Sequence, residues 1–157
     1  PDDNGIIHFE NITDARINGA EIGINTGLLN NNLIISTAYT WLDPVAVDNS
    51  GNVIDTLSYR FRHNIVSTIT GYWKQLSTTI EYRYASRIGS VELFPEDAKT
   101  GSDIRVPIHL WNIGIGYTWK GWDTQLRVEN LFQYYYVELE RNMGEERKIS
   151  VNINKSF

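Results

Sequence analysis

Residues 147–157 alternate: Ile149, Val151 and Ile153, with Phe157 at the end, fall on one side of an extended chain, and Lys148, Ser150, Asn152, Asn154 and Ser156 on the other. Successive side chains of a β-strand point to opposite faces, so this spacing predicts a strand with one greasy and one wet face. Three more segments repeat the arrangement. In 122–132, Leu126, Val128 and Phe132 oppose Gln125, Arg127 and Glu129; in 109–119, Trp111, Ile113, Ile115, Tyr117 and Trp119 oppose Asn112, Gly114, Gly116 and Thr118. In 76–84, Leu76, Ile80, Tyr82 and Tyr84 oppose Ser77, Thr79, Glu81 and Arg83.

Upstream the alternation weakens but persists. Ala20, Ile22, Ile24 and Leu28 oppose Glu21, Gly23 and Asn25; Leu33, Ile35, Tyr39 and Trp41 oppose Ser36, Ala38 and Thr40, with Asn30-Asn31-Asn32 as the tight turn between them. Segment 62–73 is ambiguous, with Ile65 and Ile69 pointing one way and Val66 and Tyr72 the other, and 5–11 is a poorly patterned first strand. No window of a dozen residues sustains an apolar stripe at helical spacing. The expectation is an all-β chain of about eight antiparallel up-and-down strands. Short turns near Asn31, Trp73-Lys74 and Lys120-Gly121 alternate with long polar loops at 42–59, 88–107 and 134–146.

That asymmetry bears on the solvent. Alternation alone also fits half-buried strands of a water-soluble sandwich or barrel. Such a sandwich has no reason to sort its loop lengths by end or to place aromatics at the ends of one face. Here Trp73, Tyr72, Tyr117 and Trp119 lie near the short turns, and Trp41, Tyr39, Tyr84 and Trp111 toward the long loops. Two aromatic girdles flanking an aliphatic band, on strands of about 9 to 11 residues, suit a bilayer-spanning barrel. Hydrocarbon cannot satisfy backbone N–H and C=O groups, so such a sheet closes on itself with lipid outside and polar side chains inside.

Composition narrows the choice. With 157 residues the chain fits one domain, 1–157. A formal net charge of −5 argues against a nucleic-acid partner, whose phosphates call for a basic face. The absence of Cys removes disulfides, thiolate metal sites and a Cys nucleophile. No apolar run approaches the roughly 20 residues of a transmembrane helix. Beginning at Pro1 without Met or a signal-like segment, the chain reads as processed, trimmed or a piece of something longer.

Three stretches carry a family resemblance. Arg16-Ile17-Asn18-Gly19-Ala20-Glu21 is similar to the Arg-x-x-Gly-x-Glu strand in the C-terminal half of TonB-dependent outer-membrane receptors. Tyr59-Arg60-Phe61-Arg62-His63 resembles the Tyr-Arg-Pro-Arg-His start of a later strand in those barrels, with Phe61 where Pro is usual. The ending is the most specific: Val128-Glu129-Asn130-Leu131-Phe132, then Tyr134-Tyr135-Tyr136, a loop exit at 144–147 and an alternating strand closing on Phe157. Order and spacing over nearly the whole chain carry the resemblance. It implies the last third or so of a barrel of about 22 strands whose lumen holds an N-terminal plug. Plug, remaining strands and TonB-binding box would lie upstream. The implied role is uptake of a scarce nutrient such as an iron chelate or cobalamin, without enzymatic activity or cofactor. The implied location is the outer membrane of a Gram-negative cell, C-terminus periplasmic and long loops outside. Ile149, Val151, Ile153 and Phe157 resemble the signal read by the barrel assembly machinery. The alternative is a complete eight-stranded outer-membrane barrel with a structural or adhesion role.

Chemistry is sparse. His8, His63 and His109 lack metal-ligand spacing. His63 and Ser67 share a strand face and suggest a lipid-modifying hydrolase only weakly, since nothing else in the sequence supports it. Loop carboxylates Asp43, Asp48, Asp55, Glu92, Glu96, Asp97 and Asp103 lack the regularity of a calcium loop and read as solvated charge. Glu21, Glu81, Arg83, Arg127 and Glu129 carry opposite signs on inward faces, which predicts ion-paired ladders between neighbouring strands. Tyr134, Tyr135, Tyr136 and Arg141 are candidate contacts for an aromatic or chelate ligand, with an extracellular girdle as the plainer reading.

Overall fold

Alternating side chains and two-residue turns produce a meander. The computed structural model describes residues 14–89, 106–139 and 142–156. Its strands are β1 (Asp14–Leu28), β2 (Leu33–Val47), β3 (Val53–Thr56), β4 (His63–Trp73), β5 (Leu76–Ala85), β6 (Ile108–Trp119), β7 (Trp122–Glu129), β8 (Val137–Leu139), β9 (Asn142–Met143) and β10 (Lys148–Lys155). Seven of them form one antiparallel sheet in the order β1-β2-β4-β5-β6-β7-β10, and the short β3 pairs with the end of β2 as the eighth. The described residues contain no helix, and β8 and β9 make a separate small hairpin. Among the described residues the sheet is open, with β1 and β10 at its edges.

The register settles which side chains share a face. Ile22 lies opposite Tyr39, Tyr39 opposite Ile65, Ile65 opposite Tyr84, and Tyr84 opposite His109. Ile80 lies opposite both Ile69 and Ile113, Ile113 opposite Val128, and Val128 opposite Ile149. One largely apolar face thus runs across all seven strands, interrupted by the Thr37–Ser67 hydroxyl pair. It is uncovered: Ile149, Val151 and Ile153 are 66%, 58% and 60% exposed. The ambiguous segment is resolved here, because Ile65 and Ile69 join the apolar face while Val66 and Tyr72 stand on the polar one.

Short and long connections fall at opposite ends. The β4–β5 and β6–β7 links have two residues each, 74–75 and 120–121, with Lys74, Lys120 and Gly121 at φ values of 53°, 47° and 79°. Left-handed backbone in such turns matches the twist of the flanking strands. Three sequence expectations need correction. Residues 42–47, expected as part of the loop 42–59, continue β2 and pair with β1 and β3. The expected strand 122–132 stops at Glu129, because Asn130 turns the chain with φ 47°, and exposed Phe132 lies beyond it. Segment 134–146 is not all loop, since it holds the β8–β9 hairpin. The poorly patterned 5–11 and Phe157 lie outside the described residues.

A small hydrophobic cluster sits at the long-loop end. Ala85, Ile108 and Tyr136 are buried, with Phe61, Val106, Leu110 and Tyr134 packed against them. Gly144 N–H donates to the Tyr136 carbonyl (2.8 Å), and a Cβ at Gly144 would overlap the Tyr136 ring. Only a residue without a side chain lets the ring lie against that backbone. Gly144→Ala is therefore expected to cost about 1–3 kcal/mol through overpacking, read as a lowered urea midpoint, while Ala at Gly71, where a Cβ meets nothing within 4 Å, leaves it unchanged.

Candidate functional site

The polar face carries the ordered charge. Arg127 on β7 reaches over Gly114 of β6, its register partner, to Glu81 on β5. Two parallel bonds result, Nη2 to Oε2 at 2.6 Å and Nη1 to Oε1 at 3.2 Å, a geometry that fixes the guanidinium plane. Arg127 Nε also donates to Glu129 Oε1 (3.3 Å), and Lys148 Nζ of β10 stands 3.8 Å from Glu129 Oε2. Asn112 Nδ2 donates to Glu81 Oε2 (3.2 Å). Glu81, Arg127 and Glu129 are thus ion-paired, but across β6 and within β7 rather than between neighbouring strands. Glu21 stands apart on β1 and accepts from Thr40 Oγ1 (3.3 Å). Arg83 occupies the polar face of β5, opposite Val66 and Leu110.

Two concavities follow from this face. A groove of about 240 Å³ runs over Gly114 and Gly116 between Ser77, Thr79, Glu81, Gln125 and Arg127. Nearer the long loops, a second of about 400 Å³ is lined by Thr40, Tyr59, Arg60, Asn64 and Arg83. Asn64 Oδ1 is buried there without a hydrogen-bond partner among the described residues.

Asn130 organises the outer end of the network. It is buried, its N–H donates to Asn112 Oδ1 (2.9 Å), its Nδ2 to the carbonyls of Tyr134 (2.9 Å) and Glu145 (3.0 Å), and its Oδ1 accepts from Tyr134 N–H (2.7 Å). One side chain therefore ties β7 to both ends of the loop before β10. In the sequence Asn130 stands out only as part of Val128-Glu129-Asn130-Leu131-Phe132. Its place before Leu131-Phe132, where the alternation fails, was the available signal.

The candidate ligand residues separate. Tyr134 stacks with Tyr136 (6.5 Å between ring centres), meets His109 edge-on (6.1 Å) and donates from its hydroxyl to the Pro107 carbonyl (2.7 Å). Tyr136 is buried, whereas Tyr135 is exposed. Arg141 lies outside the described residues, as do Glu92, Glu96, Asp97 and Asp103. His63 and Ser67 sit on the apolar face of β4, four residues and roughly 13 Å apart along the strand. Their partners are elsewhere: His63 Nδ1 meets the Tyr39 hydroxyl (2.8 Å) and Ser67 Oγ accepts from Thr37 Oγ1 (3.1 Å). A repeat of the Tyr–His pair occurs at Tyr82 and His109 (3.0 Å).

The loop carboxylates act locally. Asp43 lies 3.5 Å from Arg62. Asp55 accepts from Thr56 N–H (2.7 Å). Asp48 closes the β2–β3 turn by accepting from the N–H groups of Asn52 and Ser50, both at 2.8 Å. Chiefly the Asn52 N–H, then its side-chain amide, hold the Asp48 carboxyl below its ordinary value. No protein-family model matches the chain, and no curated protein is significantly similar to it.

Proposed function

We propose that the chain is a wall segment of an outer-membrane β-barrel, the C-terminal part of a receptor resembling the TonB-dependent importers of scarce nutrients. The observation that carries this reading is the apolar face shared in register by seven strands, uncovered and backed by an ion-paired polar face. Aromatic residues stand at both ends of that face: Trp41, Tyr84 and Trp111 toward the long loops, Trp73, Trp119 and Trp122 at the short turns. Such a surface is costly in water and fitted to acyl chains. In this reading the polar face lines the lumen against a plug supplied from upstream. Phe157, with Ile149, Val151 and Ile153, completes the assembly signal, and the short turns face the periplasm. The long loops and the plug together would capture a nutrient from outside, whose release a TonB-driven plug movement would bring about.

The edges left open among the described residues favour a wide barrel over a complete eight-stranded one. Strand β1 is exposed along its whole length, and an unpaired edge within hydrocarbon is not tolerated. In the full gene product containing this chain, nitroxides at positions 149 and 153 are expected to be reached by oxygen but not by a water-soluble relaxant, with the opposite result at position 152. Water accessibility at 149 and 153 would overturn the membrane reading. The coding region upstream of Pro1 is expected to encode further barrel strands and, before them, a plug; a stop codon followed by a signal peptide directly before Pro1 would sink the receptor reading while leaving the small barrel.

A further inference from the structure

Three lysines gather at the short-turn end, each with its ammonium over an indole. Lys74 Nζ lies 5.2 Å from the Trp73 ring centre, Lys120 Nζ 4.9 Å from Trp119 and Lys155 Nζ 5.0 Å from Trp122. The pairings Trp73 with Leu76, Leu76 with Tyr117, Trp119 with Trp122 and Trp122 with Lys155 set them in one row along the rim of the apolar face. Asp123, the acidic residue of this end among the described residues, stands on the other face, bonded by Thr118 and Gln125. A chain of net charge −5 therefore presents positive charge where its apolar face ends. At Lys74 and Lys120 an ammonium resting on a ring face leaves N–H groups that can turn outward.

The backbone adds a second observation. Lys74 and Lys120 occupy left-handed positions of their turns, φ 53° and 47°, where glycine or asparagine would fit with less strain. A third comes from shape. Beside Lys74 a groove of about 300 Å³ opens between Leu29, Leu33, Trp73, Leu76 and Thr78, with Gly71 among its lining residues. Nothing lies within 4 Å of where a Gly71 Cβ would be. Apolar groove and ammonium are adjacent, as tail and head are in an amphiphile.

We propose that this rim is a binding site for an anionic glycerophospholipid. One acyl chain lies in the groove over Gly71, its phosphate meets Lys74, and further anionic headgroups line Lys120 and Lys155. The assignment rests on the membrane reading above and adds to it a choice of lipid. Cation–π contact holds each ammonium at the level where headgroups meet hydrocarbon, and charge complementarity selects the anionic species.

The test is native mass spectrometry of the full gene product in micelles holding equal phosphatidylglycerol and phosphatidylethanolamine, with a nitroxide at position 153 read on the same sample. The bound phosphatidylglycerol-to-phosphatidylethanolamine ratio is expected to fall about fivefold for each of Lys74→Gln and Lys120→Gln. Lys148→Gln, an equal charge change at the other end of the sheet, is expected to leave the ratio unchanged. Gly71→Leu fills the groove and is expected to lower the phosphatidylglycerol bound at least twofold. An oxygen-accessible nitroxide with an unchanged ratio in the double lysine variant would overturn the lipid site alone. A water-accessible nitroxide would overturn the membrane reading beneath it.

Discussion

Arginine at position 80 is expected to prevent stable insertion of the protein, whereas arginine at the neighbouring position 79 is expected to be accepted. Ile80 lies opposite Ile69 on one side and Ile113 on the other, in the middle of the apolar face. If that face meets acyl chains, a guanidinium at mid-depth costs about 2–4 kcal/mol, too deep for its stem to reach headgroups easily. Thr79 points to the polar face beside Gly114, and there arginine finds water and Glu81 in the groove, at the loss of the Thr70–Thr79 hydroxyl bond (3.2 Å). Net loss at that position is expected to stay within about 1 kcal/mol. The measurement is the urea midpoint of the reconstituted protein, together with the fraction showing heat-modifiable migration. Equal behaviour of the two variants would mean that the two faces share one solvent, and the membrane assignment would fall.

Replacing Asn130 by alanine is expected to cost about 2–4 kcal/mol, a large effect for one polar truncation among the described residues. The change removes the acceptor of Tyr134 N–H and the donor to the Tyr134 and Glu145 carbonyls in a buried setting. It also places a residue with a bare methyl at φ 47°, which asparagine tolerates better. Glycine at the same position separates the two contributions, since it relieves the backbone while still losing the bonds. Asn130→Gly is therefore expected to fall between wild type and Asn130→Ala in urea. Amide exchange should show the loss concentrated at Tyr134 and Leu131, whose N–H donates to the Trp111 carbonyl (2.7 Å). Uniform loss over the sheet would contradict a local tie.

The faces of β5, β6, β7 and β10 were legible in the sequence because each has a two-residue repeat that local inspection detects. Strand β4 was not, since Val66 and Tyr72 are apolar residues on the polar side, and only pairing with β2 and β5 decides between the two assignments. Asp43 and Pro44 read as a break because both favour turns, yet Pro44 is held in β2 by its neighbours: its carbonyl accepts from Leu57 N–H (3.0 Å) and it lies opposite Ile17. Punctuation is a local signal, and here long-range pairing overrode it. The charged ladder was anticipated by residue type but not by partner, because Glu81 and Arg127 are 46 residues apart and meet only through the register of three strands. Asn130 was hidden for the same reason, since its bonds span a loop of no clear period.

Strands β1 and β2 stay paired from Leu28 and Leu33 to Asp14 and Val47, fifteen residues each, so six positions of β2 continue past Trp41. At about 3.3 Å per residue, that is roughly 20 Å of braced ribbon beyond the aromatic belt, stiffened further by β3. A visitor arriving on this flank meets a parapet rather than a floppy tether. Ordering a free segment costs about 1–2 kcal/mol per residue, and here that loss is met during folding instead of at each encounter. On the receptor reading proposed above, a ligand meeting this flank would find an edge already ordered by folding.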